Sequence, residues 1–142
     1  MLCYDGAMLE PGDLERAVEW LDGRFGLSAL WLFGSEARGT AGPDSDLDLA
    51  ALFLRPPSPF ERLAAAADLG DLLGREVDLI DLDSAPPILA MQVLRHGRLL
   101  VDRNPSRRAA FFSRALSLYE DLKIVRRGAE RALFERVAHG RP

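Results

Sequence analysis

The stretch Leu32-Phe33-Gly34-Ser35-Glu36-Ala37-Arg38-Gly39, followed after Thr40 to Asp44 by Ser45-Asp46-Leu47-Asp48-Leu49, decides how the chain reads. An apolar run from Ala29 to Phe33 leads into it and reads as a buried strand. Gly34-Ser35 breaks that run. Without a Cβ, Gly34 lets its backbone come close to a ligand. A turn at a strand end leaves backbone N–H groups and the Ser35 hydroxyl available, a cradle suited to phosphate oxygens. Asp46-Leu47-Asp48 then heads a second apolar run, Leu49 to Leu54. Residues i and i+2 of a strand share a face, roughly 6–7 Å apart. Asp46 and Asp48 therefore project side by side, while Leu47 and Leu49 point the other way. Two carboxylates so placed repel unless a cation lies between them. Hard oxygen ligands of this kind suit Mg²⁺, which prefers carboxylates together with substrate phosphates.

On either side of this stretch the chain alternates helix and strand signals. Asp13, after Pro11-Gly12, is placed to cap a helix to about Arg24, with Leu14, Val18 and Leu21 on one face. Leu27–Phe33 and Asp46–Leu54 are the two strands already met. Ser58 caps a helix from Pro59 to about Leu73, and Gly74 stops it. Glu76–Leu82 reads as a third strand, with Val77 and Leu79 on one face and Asp78, Ile80 and Leu82 on the other. Pro86-Pro87 opens a helix closed by His96-Gly97, and Arg98–Asp102 is a short strand. Asn104-Pro105 begins a long helical stretch to about His139. Phe111, Ala115, Leu118, Leu122 and Val125 recur there at helical spacing and read as core, as do Phe112, Tyr119 and Phe134, while Gly128 is a point of bending. Trp20, Trp31 and Met91 also read as core. The sum is an α/β (α+β) sandwich: a mixed sheet flanked by helices, with a long C-terminal helical region.

The chain has 142 residues, enough for one domain spanning 1–142. The single cysteine, Cys3, permits no internal disulfide, so the expected compartment is the reducing cytoplasm. No basic leader with a long apolar stretch is present, so neither a signal peptide nor a membrane span is expected. His96 and His139 belong to no ligand pattern, and zinc is unsupported. The net charge of −4 hides an asymmetry. Residues 1–102 carry 18 acidic and 8 basic side chains, whereas residues 103–142 carry 4 acidic and 10 basic. The basic region could face an acidic partner, hold RNA phosphates, or answer the acidic part of its own molecule. Aromatic residues interleaved with the arginines would favour RNA; those present read as core, so nucleic acid is not the expected partner.

Gly34-Ser35, Ala37-Arg38-Gly39 and Ser45-Asp46-Leu47-Asp48-Leu49 together resemble the signature of the DNA-polymerase-β-like nucleotidyltransferase superfamily, and specifically its minimal nucleotidyltransferase (MNT) branch. The resemblance covers essentially the whole chain and is strongest at residues 32–49 and 76–82. It implies the nucleotidyltransferase fold, ATP as substrate and Mg²⁺, with two ions, as cofactor. It implies Asp46 and Asp48 as metal-binding carboxylates. Asp78, in Val77-Asp78-Leu79-Ile80, matches a third family carboxylate that joins the metal set and serves as base. An Asp within such an apolar strand is expensive to bury without a cation or an open site mouth. Gly34, Ser35, Arg38 and Ser45 form the implied nucleotide-binding set. Ser35 would hold the β- or γ-phosphate, and Ser45 would orient the loop. Arg38 would lie against phosphate oxygens or pair with Glu36 or Asp44 to shape the loop. Asp81 and Asp83 are rivals for the third carboxylate, with loop solvation or helix capping as their plainer role.

A looser resemblance in Leu94–Leu100 and Tyr119–Lys123 extends to the C-terminal half, with Val101 departing from the aromatic residue usual there. Members of this branch are antitoxins paired with a HEPN-domain toxin ribonuclease, onto a tyrosine of which they transfer AMP from ATP. Two alternatives stand beside that expectation: an antitoxin that neutralises by binding alone, and a nucleotidyltransferase for a small molecule such as an aminoglycoside. Homo-oligomerisation is left open by the sequence.

Overall fold

The computed structural model describes residues 11–34 and 46–139. The elements are α1 (Pro11–Phe25), β1 (Leu27–Phe33), β2 (Leu47–Phe53), α2 (Pro59–Leu73), β3 (Val77–Asp81), a short 3-10 turn (Leu82–Ser84), α3 (Pro87–His96), β4 (Arg98–Asp102) and α4 (Pro105–Ala138). The order of helices and strands read from the sequence is the order found. The four strands lie β3-β2-β1-β4. β1 runs antiparallel to β2 and β4, and β2 pairs with β3 in parallel. The parallel pair is joined through α2, as a crossover must be.

Period-two alternation sorts each strand's side chains onto two cores. Leu30, Leu32, Leu47, Leu49, Ala51 and Leu79 face Ala17 and Leu21 of α1 and Ala65 and Leu69 of α2. Ala29, Trp31, Ala50 and Leu52 face Ala90, Met91 and Val93 of α3 and Phe111 and Ala115 of α4. The expected division of β3 holds, with Leu79 on the first side and Ile80 and Leu82 on the second.

Helix boundaries follow local chemistry. At the start of α2 the Glu61 N–H donates to Ser58 Oγ at 3.1 Å, and the Ser58 N–H donates to Glu61 Oε1 at 3.0 Å, a reciprocal cap. Gly74 ends α2 in the left-handed region at φ 71°, where its N–H reaches the Gly70 carbonyl. Helix α1 begins two residues earlier than expected: Pro11 opens it, and Asp13 sits in the first turn, 2.7 Å from Arg16, rather than at the cap. Proline's fixed φ suits a first helical position.

The long helix departs most from expectation. It runs without a break through Gly128. Phe111 and Ala115 are core, but Phe112, Leu118, Leu122, Val125 and Phe134 are exposed. The reason is length. A helix of 34 residues spans about 50 Å, and the sheet with α3 covers only its first turns. Trp20 is half-buried, with the Arg24 guanidinium 4.6 Å from its ring centroid.

The charge asymmetry is partly resolved within the molecule. Arg103 bonds Asp22, Arg108 bonds Asp102 at 3.0 Å, and Arg107 and Arg114 both reach Asp83 at 2.9 and 3.3 Å. Asp83 thus anchors α4 to the 3-10 turn, and Asp81 caps that turn by accepting the Asp83 N–H at 3.2 Å. Both carboxylates therefore have structural roles rather than that of a third site carboxylate. Arg103 and the Leu27 N–H hold the Asp22 carboxyl below the usual range. Asp81 is buried, and desolvation pushes its carboxyl up, only partly opposed by the Asp83 N–H.

Two outcomes follow. Leu49→Ala, at a fully buried position, should lower unfolding stability by about 3 kcal/mol in urea denaturation. For Asp81, the raised folded pKa means that its ionisation opposes folding. Its favourable contribution is present below the unfolded carboxylate value and is lost as pH rises through the folded one. Asp81→Asn, which keeps the acceptor oxygen, should match or exceed the wild type in thermal stability at pH 7. That advantage should shrink as pH falls below about 4. A variant less stable than wild type at pH 7 by the same margin at every pH would contradict this.

Candidate active site

The site is built where β1 ends and β2 and β3 begin. Phe33 pairs with Asp48 across the antiparallel ladder, and Asp48 pairs with Asp78 across the parallel one. Partners in a ladder share a face, and adjacent strands lie about 4.8 Å apart. Asp48 and Asp78 are therefore neighbours on one face of the sheet. That face is the α3/α4 side, because Leu47, Leu49 and Leu79 occupy the other. Asp46 stands just before β2, two residues ahead of Asp48 and exposed; Asp48 is half-buried and Asp78 exposed. The strands bury their leucines and leave their acids at an open sheet end.

Gly34 closes the third side. Its φ is +73°, the left-handed region that side chains rarely adopt. A Cβ built on it would overlap Asp48 Oδ2. Sequence reading expected Gly34 to approach a ligand; the group its backbone approaches in the structure is the Asp48 carboxylate. This was the missed part of the sequence reading. The two residues meet only through the antiparallel register of β1 and β2. Ser35, Arg38 and Ser45 lie outside the described residues.

Among the described residues, no group of three or more His, Cys, Asp or Glu side chains is placed to hold a metal ion. The donors that are brought together are hard oxygens: Asp48 beside Asp78, with Asp46 at i−2. Their chemistry fits a divalent cation that keeps open positions for substrate oxygens better than it fits a closed structural metal. A cavity of about 880 Å³ lies between α1 and β4 around Leu14, Val18, Leu100 and Val101. It sits on the other side of the sheet and holds none of the three aspartates. The charged residues that line it, Asp13, Glu15, Arg16 and Glu19, all belong to α1. No helix among the described residues is long and apolar enough to cross a membrane.

Comparison with known proteins agrees with this geometry. The family model for polymerase beta nucleotidyltransferases matches residues 15–106, which include β1 to β4 and all three aspartates. A protein adenylyltransferase, MntA, of Shewanella oneidensis is 33% identical over 100 residues, covering 70% of this chain and 71% of the relative. A solved toxin–antitoxin structure with AMP-PNP superposes with a TM-score of 0.76 at 28% identity, covering 89% of this chain and 99% of that one. The toxin–antitoxin structure MntA-HepT superposes at 0.73 with 25% identity, over 88% and 99% of the two chains. The mixed four-stranded sheet, the aspartates at its open end and the shared sequence lead to one assignment: this chain belongs to the polymerase beta nucleotidyltransferase family, among its minimal, MntA-like members.

Proposed function

We propose that the chain transfers AMP from ATP to a tyrosine hydroxyl of a cognate HEPN toxin and thereby acts as its antitoxin. The observation that carries the reading is the register that sets Asp48 beside Asp78 at the open end of the sheet, against the Gly34 turn. Similarity to a protein adenylyltransferase supports the reaction type, and similarity to a toxin–antitoxin structure with AMP-PNP supports the nucleotide and the class of acceptor.

In the reaction, the tyrosine oxygen forms a bond to the α-phosphorus of ATP, the bond from that phosphorus to the bridging oxygen breaks, and pyrophosphate leaves. Such a transfer is catalysed by positioning and charge neutralisation. Asp78 accepts the hydroxyl proton, a role open to an exposed carboxylate at a strand end. Asp46, Asp48 and Asp78 would hold Mg²⁺, two ions in the full complement, which when bound neutralises charge on the phosphates as pyrophosphate departs. Gly34, lacking a Cβ, leaves room for the Asp48 carboxylate, and Ser35 and Arg38 follow it in the sequence. Ser35 and Arg38 would take the phosphate oxygens, with Ser45 orienting the loop.

The decisive experiment is the intact mass of the toxin after incubation with this chain, ATP and Mg²⁺. The wild type should add one or more AMP units. Asp48→Asn and Asp78→Asn should each lower the transfer rate by at least about 100-fold with the melting temperature held. A variant that retains full transfer would remove that residue from the site. Gly34→Ala forces both a strained φ and a clash with Asp48. It should lower transfer comparably and also lower the melting temperature by several degrees, roughly 1–3 kcal/mol of strain. If toxin is neutralised without any mass shift, the protein is an occluding antitoxin.

A further inference from the structure

We propose that the junction between α3 and β4 is the basic half of the site, where His96 and Arg98 bind the β- and γ-phosphates of ATP and then the leaving pyrophosphate. This rests on the reading of the site as one that transfers a nucleotide from ATP.

The first support is position. Strand register draws a row across the open end of the sheet. Asp78 pairs with Asp48, and Asp48 pairs with Phe33. On the other side of β1, Leu32 pairs with Arg98, so in the antiparallel ladder Gly97 comes level with Phe33. Two strand spacings, about 10 Å, separate the junction from Asp48. That distance brings the far end of a triphosphate, its first phosphorus at Asp48, within reach of side chains on the junction. Helix α3 packs on the side of the sheet that Asp48 and Asp78 occupy, and His96 is its last residue. Arg98, paired with Leu32, belongs to the opposite face. The two residues therefore flank the end of β1, where Gly34 stands, from both faces.

Gly97 holds the junction in that place. Its N–H donates to the Val93 carbonyl at 2.7 Å and closes α3. A Cβ at this position would lie 2.5 Å from the Val93 oxygen and 3.3 Å from the Leu32 oxygen. A residue without a Cβ lets the helix end come this close to β1.

The second support is charge. At the open end, the β2–β3 half carries Asp46, Asp48, Glu76 and Asp78, and the α3–β4 half carries Arg95, His96 and Arg98. No acidic residue occurs from Ser84 to Val101. Arg95 is engaged, its guanidinium 5.2 Å from the ring centroid of Tyr119. His96 and Arg98 are exposed and, among the described residues, make no ion pair and no side-chain hydrogen bond. His96 is not needed to cap α3, because the Gly97 N–H already does so. A guanidinium fork and an imidazole N–H are donors suited to phosphate oxygens. Acids on one half of the sheet end and basic groups on the other give a polyphosphate one direction in which to lie. The reacting phosphorus is at the aspartates and the leaving group points toward β4, where fixed donors meet the charge that develops on it.

The test uses the full chain with Mg²⁺ and three probes: ATP, AMP and inorganic pyrophosphate. His96→Ala, Arg98→Gln and the double variant change exposed positions, so all three should keep the wild-type melting temperature. In calorimetric titration the double variant should bind ATP and pyrophosphate at least about tenfold more weakly, with AMP within about twofold of the wild type. In toxin modification, KM for ATP should rise to match while KM for the toxin is unchanged. Arg98→Lys, which keeps the charge but not the fork, should recover part of the loss. Unchanged affinity for ATP and pyrophosphate in the double variant would overturn the assignment and leave the transfer reading intact. Weaker binding of ATP and AMP alike, with pyrophosphate unaffected, would also overturn it and place the residues on the nucleoside. A change confined to KM for the toxin would overturn it in favour of an acceptor contact. The expected losses of binding, together with a wild type that transfers no AMP, would retain the basic half and overturn the transfer reading.

Discussion

The rest of this structure depends on a strand pairing that sets two carboxylates next to each other. At strand spacing and an effective dielectric near 20, a pair of unit charges repels by about 3 kcal/mol, and by less where water screens them. The opposing gain lies on the reverse face of the same residues' strands. Leu47, Leu49 and Leu79 are completely buried there, and each buried leucine contributes about 1.5–3 kcal/mol. A slip of one residue in the β2–β3 register would turn those leucines outward, so the register that juxtaposes Asp48 and Asp78 is enforced by the hydrophobic side. The acids are placed by the leucines, and the cost of placing them is what a cation would relieve.

This division explains why so much was legible in the sequence. Alternation across Leu47-Asp48-Leu49 and Val77-Asp78-Leu79 is a local pattern, and it states both the buried face and the acidic one. Ser58 with Glu61, Gly74 after Leu73, and the proline that opens each later helix are also local, so boundaries fell within a residue or two. The signature around Gly34 and Asp48 carried the family, because a glycine turn and a spaced acid pair at that separation have few other uses.

What the sequence did not yield is non-local. Helical spacing in Phe111, Leu118, Leu122 and Val125 says that the residues share a face, but not whether anything covers it. Coverage depends on where α3 and the sheet end, and that is set by elements far away in the chain. The same holds for Phe112 and Phe134, whose aromatic character suggested a core that the fold does not extend to them. The contact between Gly34 and Asp48 joins residues across a connection of a dozen positions, and it needed the antiparallel register of β1 and β2 to become visible.

The long helix joins these threads. Its first turns are held by Arg107 and Arg114 on Asp83, by Arg108 on Asp102, and by Phe111 and Ala115 in the inner core. That clamp fixes the direction in which the remaining turns leave the body. The overall charge of −4 averages two populations of basic residues with different roles. Those near Arg103 to Arg114 neutralise the acidic body and stiffen its junction with the helix. Those from Arg126 onward lie on exposed turns of the helix. Removing the proximal ion pairs would cost little stability at an exposed surface, so the packing of Phe111 and Ala115 contributes more to holding the helix on the body.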